Sequence, residues 1–286
     1  MNTFEILKKA KNEKYALGAF NAANIETLKA IVQAANKLRA PIIIEASDGE
    51  VNYIGKKEIV ALVKAYREEY NLPIILNLDH AGSLESCREA IMTGFDYIHF
   101  DGSMLPYEEN VKICKEIVEL AHSKGLPVEG EMDHIQGSSA DHRQEDVKKE
   151  QKTELYSSPE KARRFVDETG VDTFASFIGN AHGLYSNAKK IDVALLGRIK
   201  EALPDKFLSL HGGSGIPEQD IKEAINAGII KINVNSELRV AFRDTLRDVL
   251  NSSDEIAVYK IMPRVIDAVS AIVEEKILMF GSANKA

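Results

Sequence analysis

The chain has 286 residues and a formal net charge of −8, with 44 acidic against 36 basic side chains. An acidic chain without a basic stripe is unsuited to a phosphodiester backbone, so we expect no nucleic-acid partner. Charges are scattered through residues 1–15 and no apolar run reaches the length of a membrane span, so we expect a cytoplasmic protein without a secretory signal or membrane segment.

Eight short runs rich in β-branched and aromatic residues predict strands, and the amphipathic segments between them predict helices. The predicted strands are residues 15–20, 41–46, 73–79, 97–101, 126–131, 173–179, 207–211 and 229–234. The predicted helices are residues 25–38, 56–70, 83–94, 107–125, 158–170, 192–203 and 217–228, followed by two longer ones at 236–250 and 265–278. The two cysteines, Cys87 and Cys114, lie in predicted helices, and we expect them to be packing residues.

Strict alternation of strands and helices predicts parallel strands, because each crossover helix returns the chain to the same end of the sheet. Eight such units predict one α/β domain over residues 1–286, a (β/α)8 TIM barrel with extra C-terminal helices. An open doubly wound sheet is the alternative, but no Gly-x-Gly-x-x-Gly follows the first strand, which favours the barrel. The polar segment 133–158 interrupts the alternation and predicts a mobile active-site loop or a disordered segment.

Polar residues stand at the carboxyl end of nearly every predicted strand, whereas the opposite ends carry residues such as Pro41 and Leu126. TIM barrels hold their active sites at the carboxyl end, so we expect a catalytic site there. The residues at these ends are Asn21, Ser47, Asp79, His80, Asp101, Glu131, His182, His211, Asn233 and Asn235.

Three of the seven histidines, His80, His182 and His211, lie at or beside strand ends. Three converging imidazoles are the ligand set of an open zinc site that keeps one position for water or substrate. A single histidine is more often a hydrogen-bonded structural residue, but three at one end of a barrel favour the metal site. His99 and His122 lie within predicted secondary structure, and we expect them to be packing or surface residues. His134 and His142 lie in the long loop and are left unassigned.

The stretch HGGSG, residues 211–215, joins a candidate ligand to backbone without bulky side chains. Bare amides can approach an anion closely, and the helix predicted from Pro217 adds the positive end of its dipole. A plain turn is the alternative for the glycines alone. Because His211 precedes them, we interpret the stretch as a phosphate cradle beside a metal ligand, and NVNSE, residues 233–237, as a similar opening to the next helix.

Asp79 directly precedes His80, and pleating sends neighbouring side chains of a strand to opposite faces. Both can face one site only if the strand ends there, so the spacing leaves their common orientation open.

Along nearly its full length the sequence resembles class II, zinc-dependent fructose-bisphosphate and tagatose-bisphosphate aldolases. The resemblance rests on the order of LDH, HGxY and LHGGSGIP along a predicted barrel. The matching segments are GAFNAANIE, SDGEVNYIG, NLDHAGS, FDGSMLP, VEGE, GNAHGLY, LHGGSGIP, KINVNSELR and FGSANKA.

The resemblance implies a glycolytic type of lyase that reversibly cleaves a ketose bisphosphate, first of all fructose 1,6-bisphosphate, to dihydroxyacetone phosphate and glyceraldehyde 3-phosphate. It implies that zinc on His80, His182 and His211 acts as the Lewis acid that stabilises an enediolate. Asp79 would be the acid/base at the C4 hydroxyl.

Further implied features surround this centre. Alternative metal positions fall at Asp101 and Glu131, a sodium or potassium ion near the glycines is a further cofactor, and a homodimer or homotetramer is the expected assembly. The residues implied to bind dihydroxyacetone phosphate are Ser47, Gly183, Gly212, Gly213, Ser214, Asn233, Val234, Asn235 and Ser236.

The long loop departs from the family pattern, which usually has a glycine soon after the glutamate of strand five, then Gly-Gly and an acidic pair. Here the segment reads EMDHIQGSSADHRQEDVKKE. Counting back from Tyr156 places Glu145 at the acidic position, so it is the candidate for the proton at C3. A solvated charge is the alternative interpretation.

A second departure concerns the distal phosphate. Many family members bind it with an arginine from a neighbouring subunit, and Val258 occupies that position here. Lys260 or Arg264 could substitute, although lysine lacks the bidentate fork. An aldolase with another aldehyde partner, acting on a ketose 1-phosphate or tagatose 1,6-bisphosphate, is therefore the alternative. A non-catalytic metal-binding scaffold subunit is an alternative of another class.

Overall fold

The computed structural model describes residues 2–286, and its centre is a closed parallel barrel. The strands are β1 Leu17–Asn21, β2 Ile42–Ser47, β3 Ile74–Ala81, β4 Tyr97–Asp101, β5 Val128–Glu131, β6 Gly137–His142, β7 Thr173–Ala175, β8 His182–Tyr185, β9 Phe207–Leu210 and β10 Ile229–Val234. Eight of them close in the order β1-β10-β9-β7-β5-β4-β3-β2, and β6 pairs with β8 outside the barrel.

The closure confirms the TIM barrel and excludes the open sheet. Gly18 pairs with Ile42 of β2 and also with Ile232 of β10, so β1 has a neighbour on both sides. All eight barrel pairings are parallel, as crossover helices require.

Helices surround the barrel, and the nine predicted ones all form. Two more, α1 (Thr3–Glu13) and α3 (Asp48–Ile54), are additional to the prediction; both are N-capped by side chains, α3 by Ser47 in a capping box with Glu50. The helices are α1 Thr3–Glu13, α2 Ile25–Lys37, α3 Asp48–Ile54, α4 Lys56–Tyr70, α5 Leu84–Thr93, α6 Tyr107–His122, α7 Pro159–Thr169, α8 Val193–Ala202, α9 Glu218–Asn226, α10 Ser236–Ser252 and α11 Val258–Met279.

The two ends of the barrel differ in chemistry. At the amino end, Leu7 and Ala10 of α1 pack against the inward residues Leu17, Ile43 and Ile75, which closes that end with apolar contacts. Since strand side chains alternate, every second residue further along these strands also points inward. The polar residues of the strand ends therefore converge at the open carboxyl end.

The outer apolar face of the barrel packs against the helices in one continuous core, which includes the fully buried Cys87 and Cys114. Their burial confirms the packing role. The long C-terminal helices α10 and α11 pack on each other, and α11 also packs on α2. Among residues 2–286, no helix combines the length and the apolar character that a membrane crossing needs.

The segment 133–158 contains more regular structure than its sequence indicates. Residues Gly137–His142 form β6, and two 3-10 turns follow at Val147–Lys149 and Thr153–Leu155. The partner of β6 is β8, some forty residues downstream, with His182 opposite Gly137. Most of β6 is exposed, so it lacks the apolar alternation by which a strand is identified in sequence.

Candidate active site

Asp79 and His80 both face the carboxyl end of the barrel because the backbone turns between them. His80 has a φ of 47°, in the left-handed region, and the pairing of β3 with β4 shifts register between Leu78 and Ala81. A non-glycine residue held there costs about 1–3 kcal/mol, and such residues cluster at functional sites. This break in the strand explains how Asp79 and His80 can face one site although they are adjacent in sequence.

The three predicted ligand histidines come together at this end. The ring centroid of His80 lies 4.7 Å from that of His211 and 5.1 Å from that of His182, and the last two are 6.1 Å apart. His80 Nε2 and His211 Nδ1 are separated by 3.0 Å. One nitrogen of His80 and one of His211 therefore point toward the same place.

Carboxylates hold the outer nitrogens of two of these rings. His80 Nδ1 hydrogen-bonds to Asp101 Oδ2 at 2.8 Å, and His211 Nε2 to Glu129 Oε1 at 2.8 Å. A carboxylate on one ring nitrogen orients the imidazole and leaves the other nitrogen available to a metal, as in carboxylate–histidine–metal triads. Glu129 was not among the predicted site residues.

The charge states follow from burial and from neighbouring charges. Burial alone would raise the pKa of Asp79, but His80, His99 and Lys231 hold it well below the usual range, so the carboxylate is ionised. Burial and the neighbouring His80 hold the pKa of His182 well below the usual range, which gives the neutral imidazole that binds metals. Burial opposes protonation of His80 as well, yet the Asp79 carboxylate raises its pKa to about 9.

The donor atoms suit a divalent cation such as zinc, which takes imidazole and carboxylate ligands. One compact set joins Asp79, His80, His99 and His211, and a second joins His80, Asp101 and Glu131. The buried Glu131 Oε2 makes no hydrogen bond among the described residues and lies 3.5 Å from His99 Nε2, so a cation would satisfy this acceptor. His182 adjoins both sets without belonging to either.

Below this cluster lies a fully buried ionic network that the sequence interpretation missed. Lys231 Nζ contacts Glu45 Oε1 at 2.8 Å and Glu129 Oε2 at 2.7 Å. His99 is also missed as a site residue: it is fully buried, and its Nδ1 accepts the N–H of His80 at 3.1 Å. The usable signal was the two-residue period, which puts Glu129 on the same face as Glu131 and His99 on the same face as Asp101.

Asp79, His80 and His182 line a cavity with a volume of about 30 Å³. The glycine loop after β9 borders the same cavity through Gly212 and Ser214. Gly212 has a φ of 61°, and a Cβ there would lie 2.2 Å from Ala181 O, so only glycine fits. The N–H of Gly213 donates to Asn233 O at 2.9 Å. Among residues 2–286, the N–H groups of Gly212 and Ser214 donate to no backbone carbonyl, and both residues line the cavity, which makes these groups candidates for binding an anion.

The other predicted substrate residues divide into two groups. Gly183, Asn233, Asn235 and Ser236 line the cavity, and Asn233 Nδ2 also lies 3.3 Å from Asp79 Oδ1. Val234 is buried at the end of β10, and Ser47 caps α3 with its hydroxyl 2.9 Å from Glu50 Oε2.

A sequence model described as fructose-bisphosphate aldolase class-II matches residues 1–285. The chain belongs to this family. It is similar to three solved structures that it covers almost fully, and at 22% identity the third shows the fold alone. These are the YdjI aldolase from Escherichia coli K12 (31% identity, TM-score 0.82, 98% of this chain and 96% of that one), a putative fructose-1,6-biphosphate aldolase from Coccidioides immitis (27%, 0.85, 99% and 97%) and the fructose-bisphosphate aldolase from Campylobacter jejuni (22%, 0.79, 99% and 95%).

As a member of this family the chain is a carbon–carbon lyase, and the scaffold alternative is set aside. Glu145, the acid predicted in the long loop, does not line the cavity that Asp79 and His80 border. Glu145 Oε1 is held by His142 Nδ1 at 2.9 Å, and the side chain is 50% exposed. The residue of segment 133–158 that lines the cavity is Ser139 of β6.

A second cavity of about 330 Å³ adjoins the first, since Asn21 and Asn235 line both. Tyr53, Leu238 and Phe242 are among the residues that form its walls. Arg239 provides a cation there, with Nη2 2.9 Å from Glu50 Oε1 and Nη1 donating to Ser139 O at 3.0 Å. Arg239 stands in the matching segment KINVNSELR but was not predicted as a site residue.

Proposed function

We propose that this aldolase reversibly cleaves a ketose bisphosphate, fructose 1,6-bisphosphate first of all, to dihydroxyacetone phosphate and an aldehyde. One observation carries the proposal: the Asp79 carboxylate, the imidazoles of His80 and His182 and the open amides of Gly212 and Ser214 border a single cavity. An ionised base, nitrogen ligands and an anion cradle within one small volume are the parts that cleavage of a phosphorylated ketose needs.

We assign zinc to His80, His182 and His211, with Asp101 and Glu131 as alternative ligands. The converging rings and the buried unpaired oxygen of Glu131 support the assignment. When bound, the metal supplies a Lewis acid beside the carbonyl of the sugar.

Asp79 is the proposed acid/base. Asn21 Nδ2 donates to its Oδ2 at 3.1 Å and Asn233 Nδ2 to its Oδ1 at 3.3 Å, so the carboxylate is fixed in orientation. In the cleavage direction it accepts the proton of the C4 hydroxyl as the C3–C4 bond breaks, and in condensation it returns that proton to the aldehyde oxygen.

The phosphate of dihydroxyacetone phosphate is assigned to the loop after β9 and the start of α10. The open N–H groups of Gly212 and Ser214 support this, together with the lining by Gly183, Asn235 and Ser236. Gly213 contributes through its missing side chain, because its N–H is already used within the protein. Asn233 and Val234 set the end of β10. Ser47 would have to release Glu50 to reach a phosphate.

We infer that segment 133–158 moves to admit the substrate. A volume of about 30 Å³ is far below the roughly 300–1,000 Å³ of typical ligand pockets. Displacing β6 would enlarge this volume, since Ser139 forms part of the wall. The same movement is required for Glu145 to reach C3, where we assign it the second proton.

The aldehyde half of the substrate is assigned to the adjoining cavity. Once its Nη atoms release Glu50 and Ser139 O, Arg239 could bind a distal phosphate bidentately, which favours the bisphosphate although Val258 replaces the usual arginine. The apolar walls Tyr53, Leu238 and Phe242 support the alternative, an uncharged aldehyde and hence a ketose 1-phosphate. Tagatose 1,6-bisphosphate differs from fructose 1,6-bisphosphate only in the configuration at C4 and stays an alternative substrate.

We further propose a cytoplasmic homodimer or homotetramer. The segment before α11 and the first turn of that helix support an assembly, because Ile256, Val258 and Tyr259 are 91%, 59% and 77% exposed there. Exposed apolar side chains that lie together are typical of subunit contacts. Light scattering coupled to size-exclusion chromatography tests this, and a monomer at micromolar concentration would contradict it.

The function is tested by a coupled assay for dihydroxyacetone phosphate release, with zinc-loaded and EDTA-treated protein. Fructose 1,6-bisphosphate, tagatose 1,6-bisphosphate and fructose 1-phosphate are compared. Metal-dependent cleavage with preference for one bisphosphate supports the proposal. Equal or better cleavage of fructose 1-phosphate supports the ketose 1-phosphate alternative. If zinc-loaded protein cleaves none of the three substrates, both the bisphosphate and the monophosphate assignments are refuted.

A further inference from the structure

Lys189 is buried directly behind the glycine loop. It follows β8 in the chain, is 1% exposed, and donates from Nζ to Gly212 O at 2.9 Å and Ser214 O at 2.5 Å. Neither the metal assignment nor the acid/base step uses this side chain.

The lysine has no ion-pair partner within 4.0 Å among residues 2–286, and burial lowers its pKa to about 7. Glu237, the acid that influences it, is already occupied: its Oε2 lies 2.8 Å from Lys276 Nζ, and its Oε1 accepts the N–H of Gly215 at 2.8 Å. A buried ammonium without a counter-charge is costly, so keeping Lys189 protonated calls for compensation from another source.

The two accepting carbonyls belong to peptide groups that are held at both ends. The N–H and C=O of a planar peptide group point in opposite directions. In the group between residues 212 and 213, the carbonyl accepts from Lys189 and the N–H donates to Asn233 O. In the group between residues 214 and 215, the carbonyl accepts from Lys189 and the N–H donates to Glu237. The open N–H of Ser214 lies between these two fixed groups.

We propose that Lys189 is a positioning residue, a built-in cation that fixes the 212–215 loop as a phosphate cradle and takes the place of an exchangeable sodium or potassium ion behind it. The identity of the bound phosphate rests on the proposed function. The ammonium binds the carbonyl oxygens that a monovalent cation would use as ligands. A phosphate on the opposite side of the loop provides the missing negative charge.

The experiment measures binding of dihydroxyacetone phosphate by calorimetry to zinc-loaded wild type, Lys189→Ala and Lys189→Gln. Each protein is titrated in KCl, NH4Cl and N-methylglucamine chloride at equal ionic strength. Wild-type affinity should be the same in all three salts. Lys189→Ala should bind about 10- to 100-fold more weakly in N-methylglucamine, the loss expected for charge-assisted hydrogen bonds. Potassium or ammonium should restore most of it by entering the vacated space, which N-methylglucamine is too large to do.

Lys189→Gln keeps hydrogen-bond donors without the charge and carries the test if the alanine variant does not fold. It should bind more weakly than wild type in every salt. A purely structural role predicts equal weakening of Lys189→Ala in all salts, and that result overturns the inference. The inference is also overturned if wild type needs potassium to bind dihydroxyacetone phosphate, or if both variants bind it as tightly as wild type. No binding to wild type would instead refute the proposed function, and with it this inference.

Discussion

Replacing Lys231 by methionine should destabilise the protein because it leaves two buried carboxylates without their shared cation. Lys231 Nζ lies 2.8 Å from Glu45 Oε1 and 2.7 Å from Glu129 Oε2, and all three side chains are fully buried. Removing one member of a buried ion pair lowers the free energy of unfolding by about 3–5 kcal/mol.

We expect the lower end of that range at neutral pH. Burial and the nearby Asp79 raise the pKa of Glu45 to about 7, so this carboxyl can take up a proton at little cost once Lys231 is gone. Glu129 keeps its hydrogen bonds to His211 and Ser209. A loss of about 3 kcal/mol corresponds to a melting temperature lower by about 5 °C for a chain of 286 residues, because the entropy of unfolding is about 2.1 cal/mol/K per residue.

Differential scanning calorimetry of the metal-loaded protein provides the measurement, from pH 5 to pH 8. The loss should shrink toward pH 5, where protonation removes the uncompensated charge. The matched control is Lys231→Met combined with Glu45→Gln, which should recover part of the loss. A melting temperature within 2 °C of wild type at pH 8, or no recovery in the double variant, would show that the network does not carry this energy.

Four other predictions concern the site and its surroundings. Asp79→Asn should lower kcat by about 10²–10⁴ with an unchanged circular dichroism spectrum, and near-normal cleavage would refute its acid/base role. His182→Ala should retain less zinc than wild type after dialysis, as measured by atomic emission, and equal zinc content would remove it from the ligand set. Arg239→Met should raise KM for fructose 1,6-bisphosphate at least tenfold and leave KM for fructose 1-phosphate nearly unchanged; equal effects on both would exclude contact with a distal phosphate. Because its pKa is raised from 4.5 to about 7, Glu45 should make the protein less stable as the pH rises through that window, and Glu45→Gln should show a flatter profile in urea titrations.

The barrel could be predicted because its strands and helices carry local signals. Isoleucines flank Lys231 in the run 229–234, as expected for a strand covered by helices, and the structure has Ile229–Val234 there. Strand β6 could not be predicted in the same way. It is exposed and pairs with residues 182–185, so its formation depends on a distant contact rather than on a period within residues 137–142.

The candidate site was only partly accessible from sequence for a related reason. His80, His182 and His211 stand out because strand ends are easy to locate. Residues below them, such as Glu129 and Lys231, lie in the middle of strands that were interpreted by their apolar character. Lys189 has no local signal at all: it precedes a second lysine in a loop, and only the closed barrel brings it behind the glycines.

The interior of the barrel also explains why a cation belongs at the histidine cluster. Its inward side chains include the buried acids Glu45, Asp79, Glu129 and Glu131. Lys231 serves two of them, and Asp101 adds a further carboxylate beside His80. Without a metal, the excess negative charge has to be balanced by protons, and the raised pKa of His80 reflects this demand. A divalent ion held by the same residues would take over the role of that proton, and the carboxylates that orient the imidazoles would then also make the metal part of the charge balance of the fold.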